Sequence, residues 1–116
     1  MRKRVAILCG GPGSEHEISC LSANGVLSAI DRTKFEPVLI GITRGGKWML
    51  LPEDYPLAMV SKRLPSITGD FPEVIRTKGG LAVDGAKLPI DVIFPVLHGT
   101  YGEDGQLQRE LALVGI

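Results

Sequence analysis

Apolar positions in this chain of 116 residues follow two rhythms. Residues 4–9, Arg-Val-Ala-Ile-Leu-Cys, form an unbroken apolar run after the arginine and meet glycines at once. A short run bounded by a turn signal predicts a strand covered on both faces, as in parallel sheets. Gly10-Gly11-Pro12-Gly13 must then be loop. In residues 15–30 the clearest polar positions, Asn24, Ser28 and the following Arg32, fall at i, i+4, i+8. That narrow stripe predicts a helix largely covered by a sheet. Ser14-x-x-Glu17 reads as a capping box, which starts the helix near Glu15. Gly25 inside it costs about 1 kcal/mol relative to alanine, and close packing on a strand is the expected reason.

Residues 35–43 contain Pro-Val-Leu-Ile-Gly-Ile and predict a second strand. Gly45-Gly46 turns the chain, so residues 47–50 return as a hairpin partner. Residues 52–71 carry prolines and weak signals and are expected to be loop with at most one helical turn. Residues 81–88 read as a hairpin around Asp84-Gly85, with a type I′ turn. Residues 91–97 are the strongest strand pattern in the chain. Pro95 conflicts with a central place there, because it cannot donate to a ladder, and is tolerable near the carboxyl end. After a glycine-rich segment, Leu107, Leu111 and Val114 mark a last helix at i, i+4, i+7. Gly115 stands where a cap belongs. Ile116 reads as the start of a further strand, so the chain is expected to be the first domain of a longer protein.

The order strand, helix, strand, hairpins, strand, helix implies an α/β domain with a parallel sheet and helices against it. Ligands of such sheets bind beyond the carboxyl ends of the strands. Both glycine-rich segments follow strands and should open on that one edge.

Composition narrows the partners. Thirteen Lys and Arg balance thirteen Asp and Glu, which leaves no electrostatic footprint for nucleic acid. No apolar run reaches the ~18 residues of a membrane helix. The apolar stretch after Met1-Arg2-Lys3-Arg4 is shorter than the ~7–15 residues of a secretory signal. A cytoplasmic location follows. Cys9 and Cys20 lack metal-ligand spacing and are expected to be reduced and buried. Fifteen glycines point to tight turns and close backbone approaches.

Two loops carry the candidate chemistry. Gly10 to Glu17 is a glycine-rich turn entering a helix, a common anion cradle. It is neither a Walker A motif nor G-x-G-x-x-G, because His16 stands at the third glycine position. Glu15 has two readings: it stabilises the positive helix end, or its carboxylate faces the cleft and holds a cation such as a substrate ammonium. Glu17 serves the capping box, and His16 is expected to be a solvated residue at the helix start. Ser19, one turn past Glu15, could share its face. The second loop is His98-Gly99-Thr100-Tyr101-Gly102-Glu103-Asp104-Gly105. Three glycines after a buried strand suit a backbone that a ligand approaches closely. Glu103 and Asp104 read as capping and dipole-stabilising residues. A metal site from His16, His98, Glu103 and Asp104 has no signature spacing behind it.

Gly10-Gly11-Pro12-Gly13-Ser14-Glu15-His16-Glu17-Ile18-Ser19, taken with His98-Gly99-Thr100-Tyr101-Gly102-Glu103-Asp104-Gly105-Gln106-Leu107-Gln108, resembles the amino-terminal domain of the D-alanine–D-alanine ligase family. Residues 35–43 with Gly46-Lys47-Trp48 are similar to its second strand and hairpin. Arg109 departs from it, standing where the family has a small residue. The resemblance implies a pre-ATP-grasp fold, a doubly wound Rossmann-like unit filling residues 1–116. The whole enzyme would join two D-alanines with ATP and Mg²⁺ (or Mn²⁺) for peptidoglycan, through an acyl phosphate that the second amine attacks. By resemblance Glu15 holds the ammonium of the first D-alanine and His98 donates to its carboxyl end, with Ser19 and Gly99 lining the site. Nucleotide and metal sites would belong to the family's other domains. These residues alone are then expected to be inactive, with no cofactor bound, and the full enzyme to be a homodimer. Two other classes stand beside this one: a stand-alone Rossmann-type phosphate- or nucleotide-binding module, and a pure interaction domain.

Overall fold

The computed structural model describes residues 2–12, 15–78 and 80–96. Its centre is β1, Lys3–Gly10, in which every residue from Val5 onward is buried. β1 pairs in parallel with β2, Phe35–Ile42, in the register Lys3↔Phe35 to Gly10↔Ile42. On its other side it pairs in parallel with β7, Val92–Pro95, from Val5↔Val92 to Leu8↔Pro95. The expected hairpin partner β3, Trp48–Leu50, runs antiparallel on β2 and gives the order β3-β2-β1-β7. Pro95 sits on the outermost strand among the described residues. Val96 N–H, one residue on, donates to Leu8 O at 2.8 Å. Strand alternation therefore aims the Pro95 nitrogen away from β1, where no ladder bond is lost.

The unbroken apolar run of β1 is explained by its two faces. Val5, Ile7 and Cys9 pack with Cys20, Ala23 and Leu27 of α1, His16–Ala29. Ala6 and Leu8, pointing the other way, join Val38, Ile40, Ile42 and Trp48 against Val74 and Leu81. That second layer is a three-stranded antiparallel sheet of β4, Val74–Thr77, β5, Gly80–Val83, and β6, Ala86–Leu88. The expected α/β class is present. Among the described residues, however, a helix covers one face and a small sheet the other, where helices on both were expected. The β5–β6 turn is the anticipated Asp84-Gly85, with φ of 53° and 78°, the pair of left-handed residues that a type I′ turn requires. The predicted helix around Leu107 lies outside the described residues.

Two expectations about α1 are corrected. Its buried residues His16, Ser19, Cys20, Ala23 and Leu27 form one stripe, so it is an ordinary one-faced helix and not a largely covered one. Gly25 is exposed, and a Cβ there would meet nothing within 4 Å. Close packing does not account for it. Cys9 and Cys20 are free and buried, as expected. They face each other across β1 and α1, and their mutual hydrogen bond, followed by burial, pushes the Cys9 thiol up.

Residues 51–73 contain no helix or named strand but are well anchored. Leu51, Leu57 and Ile67 are buried in the helix-side core. The Tyr55 hydroxyl donates to Ser66 O at 2.8 Å and accepts the Thr68 N–H at 3.0 Å. An apolar groove of about 450 Å³, lined by Val5, Ile7, Val26, Ala29, Ile30, Phe35, Val92 and Phe94, opens at the amino ends of the parallel strands. It is remote from the carboxyl ends of β1 and β7, where the two glycine-rich loops begin.

Candidate functional site at the carboxyl ends of the parallel strands

Gly10 ends β1 with φ +90°, and Gly11 continues at φ +93°. Both values lie where a side chain is strained. At Gly10 a Cβ would stand 2.3 Å from Ile42 O, so glycine is the only residue that lets β1 turn against β2 here. The Gly10 N–H donates to Ser19 Oγ at 2.9 Å, and the Gly11 N–H donates to Ile42 O at 2.8 Å. These two amides are already bonded within the protein. Those two amides are thus not available to an anion.

Ser19 is fully buried. Its hydroxyl accepts from Gly10 N–H and donates to Val96 O. One side chain on the helix therefore joins the carboxyl end of β1 to that of β7. Ser19 was expected to line a ligand site; its oxygen instead sits beneath the surface, between two backbones.

Glu15 is the N-cap of α1 and is half-buried. Its carbonyl accepts the Ser19 N–H at 2.9 Å, and its side chain makes no capping bond. The N-cap position itself falls on Glu15, one residue after the Ser14 of the expected capping box. The Glu17 carboxylate reaches Arg44 at 2.7 Å, because the end of β2 brings that guanidinium across the start of the helix. Ser14 lies outside the described residues.

His16 gives the largest correction. It was expected in solvent, yet only 1% of it is exposed. Nδ1 is 2.9 Å from Gly11 O, and Nε2 is 2.9 Å from the Ile67 nitrogen. A carbonyl can only accept and an amide N–H only donates. The ring is therefore neutral, with its proton on Nδ1. The signal was present in the sequence: His16 and Ser19 are in step with Cys20, Ala23 and Leu27 along one helical stripe. The partner Ile67 was not foreseeable, since nothing local marks it.

His98 and Gly99 lie outside the described residues, as do Glu103 and Asp104. Val96, two positions before His98, is the last described residue on that path. Its carbonyl is held by Ser19, one helical turn from Glu15. Among the described residues no group of three or more His, Cys, Asp or Glu side chains could hold a metal ion. No helix there is long and apolar enough to cross a membrane.

The comparisons with known proteins fit this arrangement. The family model for the D-ala D-ala ligase N-terminus matches residues 4–116. The chain is 42% identical over 127 residues to a D-alanine–D-alanine ligase of Rhodococcus erythropolis, which covers 99% of this chain and 34% of that protein. It is 39% identical over 131 residues to the ligase of Mycobacterium leprae, with the same coverage. Its fold matches the VanG D-Ala:D-Ser ligase of Enterococcus faecalis with a TM-score of 0.79 at 32% identity, over 100% of this chain and 35% of that one. The D-alanine-D-alanine ligase of Coxiella burnetii matches with a TM-score of 0.79 at 29% identity, over 97% and 34%. The chain spans about a third of the length of the curated relatives it matches. Since the family model covers nearly every residue from the glycine turn to the last position, the chain belongs to the D-ala D-ala ligase N-terminus family.

Proposed function

We propose that this domain binds the first D-alanine of an ATP-dependent ligase that joins two D-alanines for peptidoglycan in the cytoplasm. The observation that carries the reading is the Ser19 hydroxyl bonded to both Gly10 N–H and Val96 O. It joins the ends of β1 and β7, from which the two glycine-rich segments leave, with Glu15 one turn away. An amino acid needs one anionic and one donor group at opposite ends. Glu15 supplies the first, holding the ammonium. A bare helix N-terminus carries roughly half a positive charge and would repel that ammonium; the Glu15 carboxylate offsets it. His98 donates to the carboxyl end, and Gly99 leaves room for the substrate beside it. Ser19 acts from below, fixing the distance between the two loops.

ATP and Mg²⁺ do not fit the described residues. The Gly10 and Gly11 amides are bonded internally, and among the described residues no set of three metal ligands converges. Neither enters the roles given to these residues. The reading assigns both to sequence outside these 116 residues, in a protein that works as a homodimer. The Glu15 carboxylate at the helix start counts against a stand-alone phosphate-binding module, since it would repel an anion there.

The test is phosphate release driven by D-alanine in the full-length ligase carrying this domain. Glu15→Gln should raise the KM for the first D-alanine about 10- to 100-fold, or roughly 1.4–2.8 kcal/mol. His98→Ala should lower the rate. Unchanged kinetics in both variants would exclude these roles.

A further inference from the structure

His16 ties together two segments, one of them 51 residues from it in sequence, and has no solvent-facing task. One of them is the glycine turn: Nδ1–H holds Gly11 O, and Gly11 in turn donates to Ile42 O. The other is residues 65–68, which cross the carboxyl ends of β1 and β2 as a strap. Ile67 projects into space left by two glycines. A Cβ at Gly10 or at Gly41 would approach its side chain to 2.9 Å. The strap is pinned at three successive residues, Ser66 O and Thr68 N by Tyr55 and Ile67 N by His16. His16 is the rivet between strap and turn.

Glu15 is the neighbouring residue in the chain, and no capping bond of its own fixes its side chain. Its carbonyl accepts the Ser19 N–H, and the residue that follows it, His16, is fixed through its ring to Gly11 O and Ile67 N. We propose that His16 is a positioning residue: by locking the glycine turn to the Ile67 strap it sets where the Glu15 carboxylate stands. This rests on the reading that Glu15 holds the substrate ammonium. Such a residue acts on ground-state binding of the first amino acid. Loss of the rivet should therefore appear in KM for that substrate and leave kcat and the KM for ATP in place.

The experiment compares His16→Ala, His16→Asn and His16→Gln with Glu15→Gln in the full-length ligase. In glutamine the amide stands near the Nε2 position and can keep Ile67; in asparagine it stands near Nδ1 and can keep Gly11. His16→Ala should raise the KM for the first D-alanine on the order of tenfold, below the roughly hundredfold that a full ångström of misplacement can cost. Asparagine and glutamine should each recover part of this. The decisive arm is the double variant. If His16 acts through Glu15, His16→Ala adds little on top of Glu15→Gln, and the two effects are strongly non-additive. An unchanged KM in folded His16→Ala, equal changes in the KM values for D-alanine and ATP, or full additivity would overturn the inference. Should the alanine variant fail to fold, the asparagine and glutamine variants carry the same KM split and the same cycle. A flat response to Glu15→Gln would instead overturn the underlying reading of Glu15. The two failures are therefore distinguishable.

Discussion

The two halves of α1 bury the same stripe by different means. In the first half His16 and Ser19 are fully buried, and each side-chain polar atom meets a backbone group: Gly11 O, Ile67 N, Gly10 N or Val96 O. In the second half Ala23 and Leu27 fill the helix-side core without polar atoms, and Gly25 faces open space. An apolar stripe holds a helix onto a sheet without fixing its register closely, because the attraction is non-directional. Hydrogen bonds fix direction and distance. The polar half lies where the loops leave the sheet, and the apolar half where nothing but packing is required. Register is thus enforced where the candidate site needs it.

That contrast can be broken or sharpened with urea unfolding followed by the buried Trp48. Ser19→Ala should give the largest loss, about 3 kcal/mol, since it strands a buried amide and a buried carbonyl that each cost roughly 1–3 kcal/mol unpaired. If the loss is no more than a surface substitution costs, water replaces the hydroxyl and the polar half is not the tighter one. Leu27→Ala should cost less, about 2 kcal/mol, the low end for such a truncation. The residue sits at the rim of the core, with 8% exposure. A loss larger than that of Ser19→Ala would reverse the comparison. Gly25→Ala should act with opposite sign and stabilise by about 0.5–1 kcal/mol. Destabilisation would mean that this position touches something.

Local signals made much of the architecture legible. The apolar run into glycines marked β1, the Gly45-Gly46 turn marked the β2–β3 hairpin, and Asp84-Gly85 marked the β5–β6 turn. Each depends on backbone preferences within a few residues. β4 was not marked, because three of its four residues are exposed and so short a strand carries no clear alternation. In the candidate site, Glu15 and Ser19 were singled out from motif and spacing, whereas His16 was assigned to solvent. A buried imidazole needs two partners, and one of them, Ile67, is distant in sequence. Glu17 shows the same limit. Ser14-x-x-Glu17 satisfies the capping-box pattern, and nothing local announces Arg44, which arrives from the end of β2 to pair with the Glu17 carboxylate.

The sequence by itself determined most of the elements, the α/β class, the family and the edge at which β1 and β7 end. Tertiary structure alone decided which layer covers each face, that the Gly10 and Gly11 amides are bonded inward, and that His16 rivets the strap to the turn. The reason is physical. Turns, strands and helices follow from torsional preference and periodicity, which neighbouring residues encode. The partner of a buried polar atom is whichever group the folded chain brings within hydrogen-bonding reach, and no local pattern specifies it.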